Sequence, residues 1–379
     1  MRRTDREKDL FGKPVSRRRL LQFAAASAVA AAGLAPAACG DGSEEREFSM
    51  TTATLDAKTA IAEPAVETMT GRISTADLGF TLMHEHIIVQ SEGVSHSFPS
   101  IWDKRASLNK AVEMLTTLKA RGVDTIVDPT VLGIGRNIPR LLPVVEEAGL
   151  QVVAATGMYY FNDLPAYFVS REIDEMTDLF VADITDGIQG TDVRAAILKC
   201  ATDEPGVTPG VEKVLRAVAR AHLRTGTPIT THTHAATQRG LEQQRVFAEE
   251  GVDLGRVIIG HSGDSDDLGY LTKLLDAGSY IGMDRFGLDI FLPEEKRIAT
   301  VAALCRMGYT ERMVLSHDAC VYIDMYKPEV IEQFVPNWNY LHISDHIMPA
   351  LLEAGVSQTQ VDTMTRDNPR RIFENVGVY

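Results

Sequence analysis

Cysteine is scarce. Cys39, Cys200, Cys305 and Cys320 are the only four in 379 residues, and none sits in a CxxC spacing. That excludes a disulfide scaffold and the usual cysteine metal sites. No GxGxxG or P-loop follows an apolar run, which counts modestly against an open doubly wound sheet binding a nucleotide. Low-complexity bias is too small for a mostly disordered chain, and 45% hydrophobic residues can supply a large core. Positive charge is also short: 38 Lys and Arg stand against 52 Asp and Glu, a net charge of −14. The imbalance is uneven. The first 38 residues carry eight basic and three acidic side chains, a net of +5, so the remainder carries −19. A body that acidic repels nucleic-acid phosphates and anionic lipid surfaces, and neither is expected as a partner.

The basic leader reads as an address. Ser16-Arg17-Arg18-Arg19-Leu20-Leu21 precedes an Ala-rich apolar stretch and resembles a twin-arginine export signal. Gly33 and Pro36 interrupt the stretch, and Ala is only mildly apolar, which argues against a spanning anchor. Pro36-Ala37-Ala38-Cys39-Gly40 resembles a lipoprotein cleavage site with Cys39 as the lipidated residue, although Pro36 stands where a Leu is usual. The expected organisation is a signal over 1–38, a flexible acidic tether over 39–68 and a barrel over 69–379. The expected location is periplasmic or at the cell surface, membrane-anchored if Cys39 is lipidated.

Beyond the tether a rhythm repeats: amphipathic helix, Gly, then a short run of Val and Ile. Examples are Ala120-Arg121-Gly122 before Thr125-Ile126-Val127 and Arg224-Thr225-Gly226 before Ile229-Thr230. Glycine after a helix accepts the left-handed conformation that ends it. The strands are near-continuous apolar runs, as parallel strands buried on both faces should be. Strand ends are expected at 84, about 128, about 156, 199, 232, 261, about 283 and 318. Eight βα units close a TIM barrel, with the active site at the C-terminal ends of its strands.

Polar residues able to hold metal fall at those ends. His84 and His86 lie two apart on the expected strand from Phe80, so they share a face while Glu85 points away. Lys199 ends the apolar run Ala195–Leu198. A buried ammonium needs a partner, such as Asp203 or Glu204, or else desolvation lowers its pKa until the neutral amine captures carbon dioxide as a carbamate. His232, His261 and Asp318 end further strands. Four histidines, a lysine and an aspartate then converge on one face, a set suited to a dinuclear metal centre.

These segments are shared with a known family. Gly79–His86, Lys199–Gly206, Thr230–His234, Gly260–Asp264, Gly282–Asp289 and Leu315–Asp318 make residues 69–379 resemble the phosphotriesterase family of the amidohydrolase superfamily. Within it the phosphotriesterase-like lactonases are most similar. The resemblance implies two divalent ions, zinc by default, with Co, Mn and Fe equally suited to imidazole and carboxylate. His84, His86 and Asp318 would hold the buried ion and His232 and His261 the exposed one. A carbamylated Lys199 and a hydroxide would bridge them. The hydroxide would attack a carbonyl or phosphorus, with Asp318 taking the proton. Tyr159 would lie near the hydroxide and Arg285 near the substrate; the plainer readings are a packed aromatic and a surface ion pair.

Phe286, Leu288, Ile290, Phe291 and Leu292 form an apolar loop suited to an acyl chain or to a dimer interface, and Cys320 and Met325 would line the same pocket. Such lactonases commonly carry Trp where Met325 stands. An N-acyl homoserine lactone is the first substrate class, with organophosphate triesters as a side activity. The alternatives are a primary phosphotriesterase or carboxylesterase, another amidohydrolase, and a non-catalytic binding lipoprotein. A homodimer is the expected assembly. His234 is expected in a loop or behind the ligands, and His317 packed beneath them. His96, His222, His342 and His346 carry no ligand pattern.

Overall fold

The computed structural model describes residues 64–161 and 163–379. The signal segment, residues 39–63 and Cys39 lie outside the described residues. The chain enters as an antiparallel hairpin, β1 (Ala65–Thr68) and β2 (Gly71–Ser74). Folded structure therefore takes in Ala65–Thr68, four residues expected to belong to the tether.

The barrel strands follow: β3 (Thr81–Leu82), then β5 (Thr125–Asp128), β6 (Gln151–Gly157), β7 (Ile197–Thr202), β8 (Ile229–Thr233), β9 (Val257–Ile259), β10 (Tyr280–Met283) and β11 (Met313–Leu315). They pair in parallel in chain order, from β3 to β11. Met83 N donates to Leu315 O across the remaining gap at 3.4 Å, so the sheet curls into the expected (βα)8 barrel. Two further strands, β4 (His86–Val89) and β12 (Cys320–Ile323), pair in parallel above that seam.

Seven long helices connect the barrel strands: α1 (Lys104–Ala120), α2 (Ile138–Ala148), α3 (Ile173–Thr185), α4 (Pro209–Thr225), α5 (Arg239–Glu250), α6 (Leu268–Asp276) and α7 (Glu294–Arg306). Helix α4 shows how sequence sets them. The Thr208 side chain accepts from Val211 N, Pro209 fits the first turn, and Gly226 ends the helix at φ 74°. Its Val211, Val214, Leu215 and Val218 are buried along one face.

Two strand expectations need correction. The first strand does not run to His86. It stops at Leu82, and Met83 and His84 form a bend before β4. Lys199 does not end its strand but sits in the middle of β7. There β6 approaches closely: a Cβ at Gly157 (φ +131°) would meet Lys199 O at 1.9 Å, so only glycine fits.

Candidate metal centre

The bend at His84 is fixed by Glu85. Its fully buried carboxylate accepts from Ser316 Oγ, His317 N and Ala319 N at 2.9 Å each, and from His317 Nδ1 at 2.6 Å. Glu85 is turned to the segment after β11 rather than to the centre, just after the bend and not on the expected strand, and its work is to clamp that segment. His317 is buried beneath the site, with Ile343 N donating to its Nε2 at 2.8 Å.

The ligand candidates are buried and convergent. The rings of His84 and His86 lie 5.4 Å apart, those of His84 and His261 4.8 Å, and those of His232 and His261 4.6 Å. Asp318 reaches three of them. Its Oδ1 is 3.5 Å from His84 Nε2 and 3.2 Å from His86 Nε2, and its Oδ2 is 3.8 Å from His261 Nε2. Lys199 Nζ is 3.0 Å from His84 Nε2, so the structure does not give it the Asp203 or Glu204 partner considered above. His261 and Asp318 hold left-handed backbone, φ 59° and 57°, a conformation that concentrates at functional sites in non-glycine residues.

Outer partners aim the rings. Asp284, itself 1% exposed, takes His84 Nδ1 at 3.1 Å, and its other oxygen takes His261 N and Nδ1 at 2.8 and 3.0 Å. Thr130 Oγ1 donates to Asp128 and so accepts from His86 Nδ1 at 2.7 Å. With each Nδ1 proton engaged outward, the Nε2 lone pairs of His84, His86 and His261 face the Asp318 carboxylate. Acceptors opposed to acceptors in a buried site suit a cation between them. The donor chemistry therefore fits divalent metal. Among the described residues, His84, His86 and Asp318 bring three ligand atoms close enough together to hold an ion, and His84, His261 and Asp284 converge equally through the outer Nδ1 bonds. Sequence reading passed over Asp284, Asp128 and Thr130 as individual residues, and gave Glu85 a direction but no partner. The one available signal was an acidic or hydroxyl residue closing an apolar strand.

Electrostatics sort the groups. Burial and the Lys199 charge bring the His84 imidazole down to about 3, and burial with the neighbouring His261 holds His232 well below its ordinary value. Both are neutral and able to ligate. Burial brings Lys199 down to about 8. Burial would raise Asp318 and Asp284, but the interactions of both with His261 and His84, and of Asp318 also with Arg285, outweigh it and hold both well below the usual carboxylate range.

The other expected residues divide. Tyr159 OH lies 3.3 Å from His232 Nδ1, and burial keeps the phenol protonated. Arg285 is not a surface pair: its Nε donates to Asp318 Oδ2 at 2.8 Å and its Nη1 to Asp264 Oδ2 at 3.0 Å. Phe286 and Leu288, expected as substrate contacts, are only 1% and 6% exposed, and Phe286 belongs to the main core. The accessible apolar side chains of that loop are Ile290 and Phe291. Met325 is exposed in the last loop and Cys320 half-buried on β12. His234 lies in a loop, on Thr237 Oγ1 at 2.8 Å. His222 and His342 are buried on Thr227 O and Glu294 respectively, whereas His96 and His346 are exposed.

Comparison with known proteins agrees with this geometry. A profile described as the phosphotriesterase family matches residues 64–373. A phosphotriesterase homology protein of Mycobacterium tuberculosis is 55% identical over 326 residues, covering 83% of this chain and 99% of the relative. An aryldialkylphosphatase of Saccharolobus solfataricus is 45% identical over 303 residues, covering 79% and 96%. The solved structure of the phosphotriesterase from Mycobacterium tuberculosis superimposes with a TM-score of 0.81 at 54% identity, covering 83% of this chain and 100% of that one.

Proposed function

The chain belongs to the phosphotriesterase family of the amidohydrolase superfamily, and from that membership we propose that it is a two-metal hydrolase that opens lactones. N-acyl homoserine lactones are the first substrate class, and organophosphate triesters a side activity. The observation that carries the proposal is the meeting of His84, His86, His261, His232, Lys199 and Asp318 at the C-terminal mouth of the barrel, with outward Nδ1 partners on His84, His86 and His261.

His84, His86 and Asp318 would hold one ion and His232 and His261 the other, with Lys199 as a carbamate between them. Two divalent ions there supply Lewis acidity and a water acidic enough to ionise near neutral pH. The chain does the rest. Asp318 is ionised at neutral pH and stands among His84, His86 and His261, so it can take a proton from water and return it to the leaving alkoxide. Arg285 stays charged because Asp318 and Asp264 outweigh its burial, and it fixes one Asp318 oxygen. Tyr159 remains a protonated donor beside His232, placed to polarise a substrate oxygen. Ile290 and Phe291 offer apolar surface to an acyl chain.

A primary triesterase is the second reading, favoured by the name of the Saccharolobus solfataricus relative. Ranking γ-lactones, acyl homoserine lactones, paraoxon-like triesters and aryl esters by kcat/KM decides between them. If every lactone is inert while a triester or aryl ester turns over, the lactonase assignment falls. We also propose twin-arginine export and lipidation at Cys39. Arg17→Lys/Arg18→Lys/Arg19→Lys should strand the protein in the cytoplasm, and Cys39→Ser should release it from membranes.

A further inference from the structure

A line of alternating charge joins the loop after β10 to the carboxylate at the metal centre. It starts at Arg297 on α7, whose guanidinium is 1% exposed. Every one of its nitrogens is matched. Nε donates to Leu292 O at 3.0 Å and Nη1 to Gly263 O at 2.7 Å. Nη2 donates to Leu288 O at 3.1 Å and to Asp264 Oδ1 at 2.7 Å. The other oxygen of Asp264 accepts from Arg285 Nη1 at 3.0 Å, and Arg285 Nε donates to Asp318 Oδ2 at 2.8 Å. Phe291, on the loop that Arg297 pins at both Leu288 and Leu292, lies with its ring centre 5.0 Å from the Arg285 guanidinium carbon.

A well-packed apolar side chain could anchor a loop as firmly as a buried ion pair, which is costly to desolvate. What an apolar anchor cannot do is orient the next charge. Arg297 fixes one Asp264 oxygen, which leaves the other aimed at Arg285. Among the described residues, Arg285 hydrogen-bonds two anions, Asp264 on one side and Asp318 on the other.

We propose that Arg297 and Asp264 are positioning residues: together they set the orientation of Arg285, and through it Asp318, and tie that orientation to the loop that carries Ile290 and Phe291. The proposal rests on the hydrolase reading above. It concerns how the acceptor carboxylate is held, not which substrate is preferred.

The test compares Arg297→Gln, Asp264→Asn and the double variant in the metal-loaded protein, well below each variant's Tm, with rates taken per bound metal pair. Arg216→Gln is the control, because Arg216 lies in a surface network with Glu212, Glu249 and Glu250 away from the centre. The expected result for either single variant is a kcat lower by about 100-fold, the loss that misplacement of order 1 Å produces, with metal content retained. The double variant should lose little more than either single one, because both cut the same line. A crystal structure of Arg297→Gln should show the Arg285 guanidinium turned off Asp318. Unchanged kcat per metal pair with only a lower Tm, as in the control, would overturn the proposal, and so would losses that multiply in the double variant. If Arg297→Gln does not fold, Asp264→Asn decides alone, since it keeps the three carbonyl bonds of Arg297. A wild-type protein inert on lactones and triesters alike would defeat the hydrolase reading instead, and the crystal structure would still test the orientation of Arg285.

Discussion

Asp284 and His84, 200 residues apart in sequence, meet at 3.1 Å between Oδ2 and Nδ1, while the second Asp284 oxygen holds His261. One buried carboxylate thus aims an imidazole from each of the two proposed ion positions. The arrangement makes Asp284 the point at which both positions can be loosened at once.

Asp284→Asn replaces one of the two acceptor oxygens with a donor. Either His84 or His261 must then flip its tautomer or lose its outer bond. Metal affinity should fall by about 10- to 100-fold, the usual cost of losing such a partner. Competition titration with a chromophoric chelator measures it. An unchanged affinity would show that the rings are aimed by packing alone.

Lys199 should load with carbon dioxide in a pH-dependent way. Only the neutral amine reacts, and with the pKa brought down from 10.5 to about 8 by burial, the neutral fraction rises as pH rises towards 8 and levels above it. Reactivation of metal-stripped protein by metal at fixed dissolved CO2 should therefore accelerate about tenfold per pH unit below 8 and flatten beyond it. Lys199→Ala should lose metal and activity together, and Lys199→Glu should keep part of the metal. A rate independent of pH between 6 and about 8 would count against the carbamate.

Chelation should abolish hydrolysis and lower Tm, because ions that bind only the folded state stabilise it by about 2.7 kcal/mol at a hundredfold excess over Kd. Calorimetry with and without chelator checks this, and readdition of metal should restore both properties. Full activity in protein shown by elemental analysis to be metal-free would refute the metal mechanism.

The loop after β10 should separate packing from recognition. Phe286→Ala empties a fully buried position and should cost about 3–5 kcal/mol of stability while leaving the preference among acyl-chain lengths unchanged. Ile290→Ala/Phe291→Ala should scarcely alter Tm but should raise KM for long-chain lactones more than for short ones. Denaturant melts and a chain-length series of lactones provide the two readouts.

The barrel and the clustering of its candidate metal ligands were legible because both leave periodic traces. Gly226 after α4, and apolar runs leading to His232 or His261, repeat at βα spacing and bring these residues to one end of the barrel. What was not legible depends on register and long-range packing. Lys199 sits mid-strand because β7 continues through Thr202, which its local sequence does not signal. The strand from Phe80 breaks at Met83 because Glu85 is drawn to Ser316, His317 and Ala319, more than 230 residues later. Phe286 and Leu288 look like pocket residues in sequence because hydrophobicity does not say which side of a loop faces the core. Arg297 gave no signal at all, since its partners are mostly backbone carbonyls.

The clamp of Glu85 on the segment after β11 also orders events in time. Folding must bring the first barrel strand against the last before Asp318 can stand opposite His84 and His86, so a nascent chain still lacking its final 70 or so residues, roughly the span from β11 onward, has histidines without their carboxylate. Strong metal capture is therefore an event of the completed chain rather than of synthesis. A truncation anywhere upstream of β11 should yield a protein that neither closes nor loads.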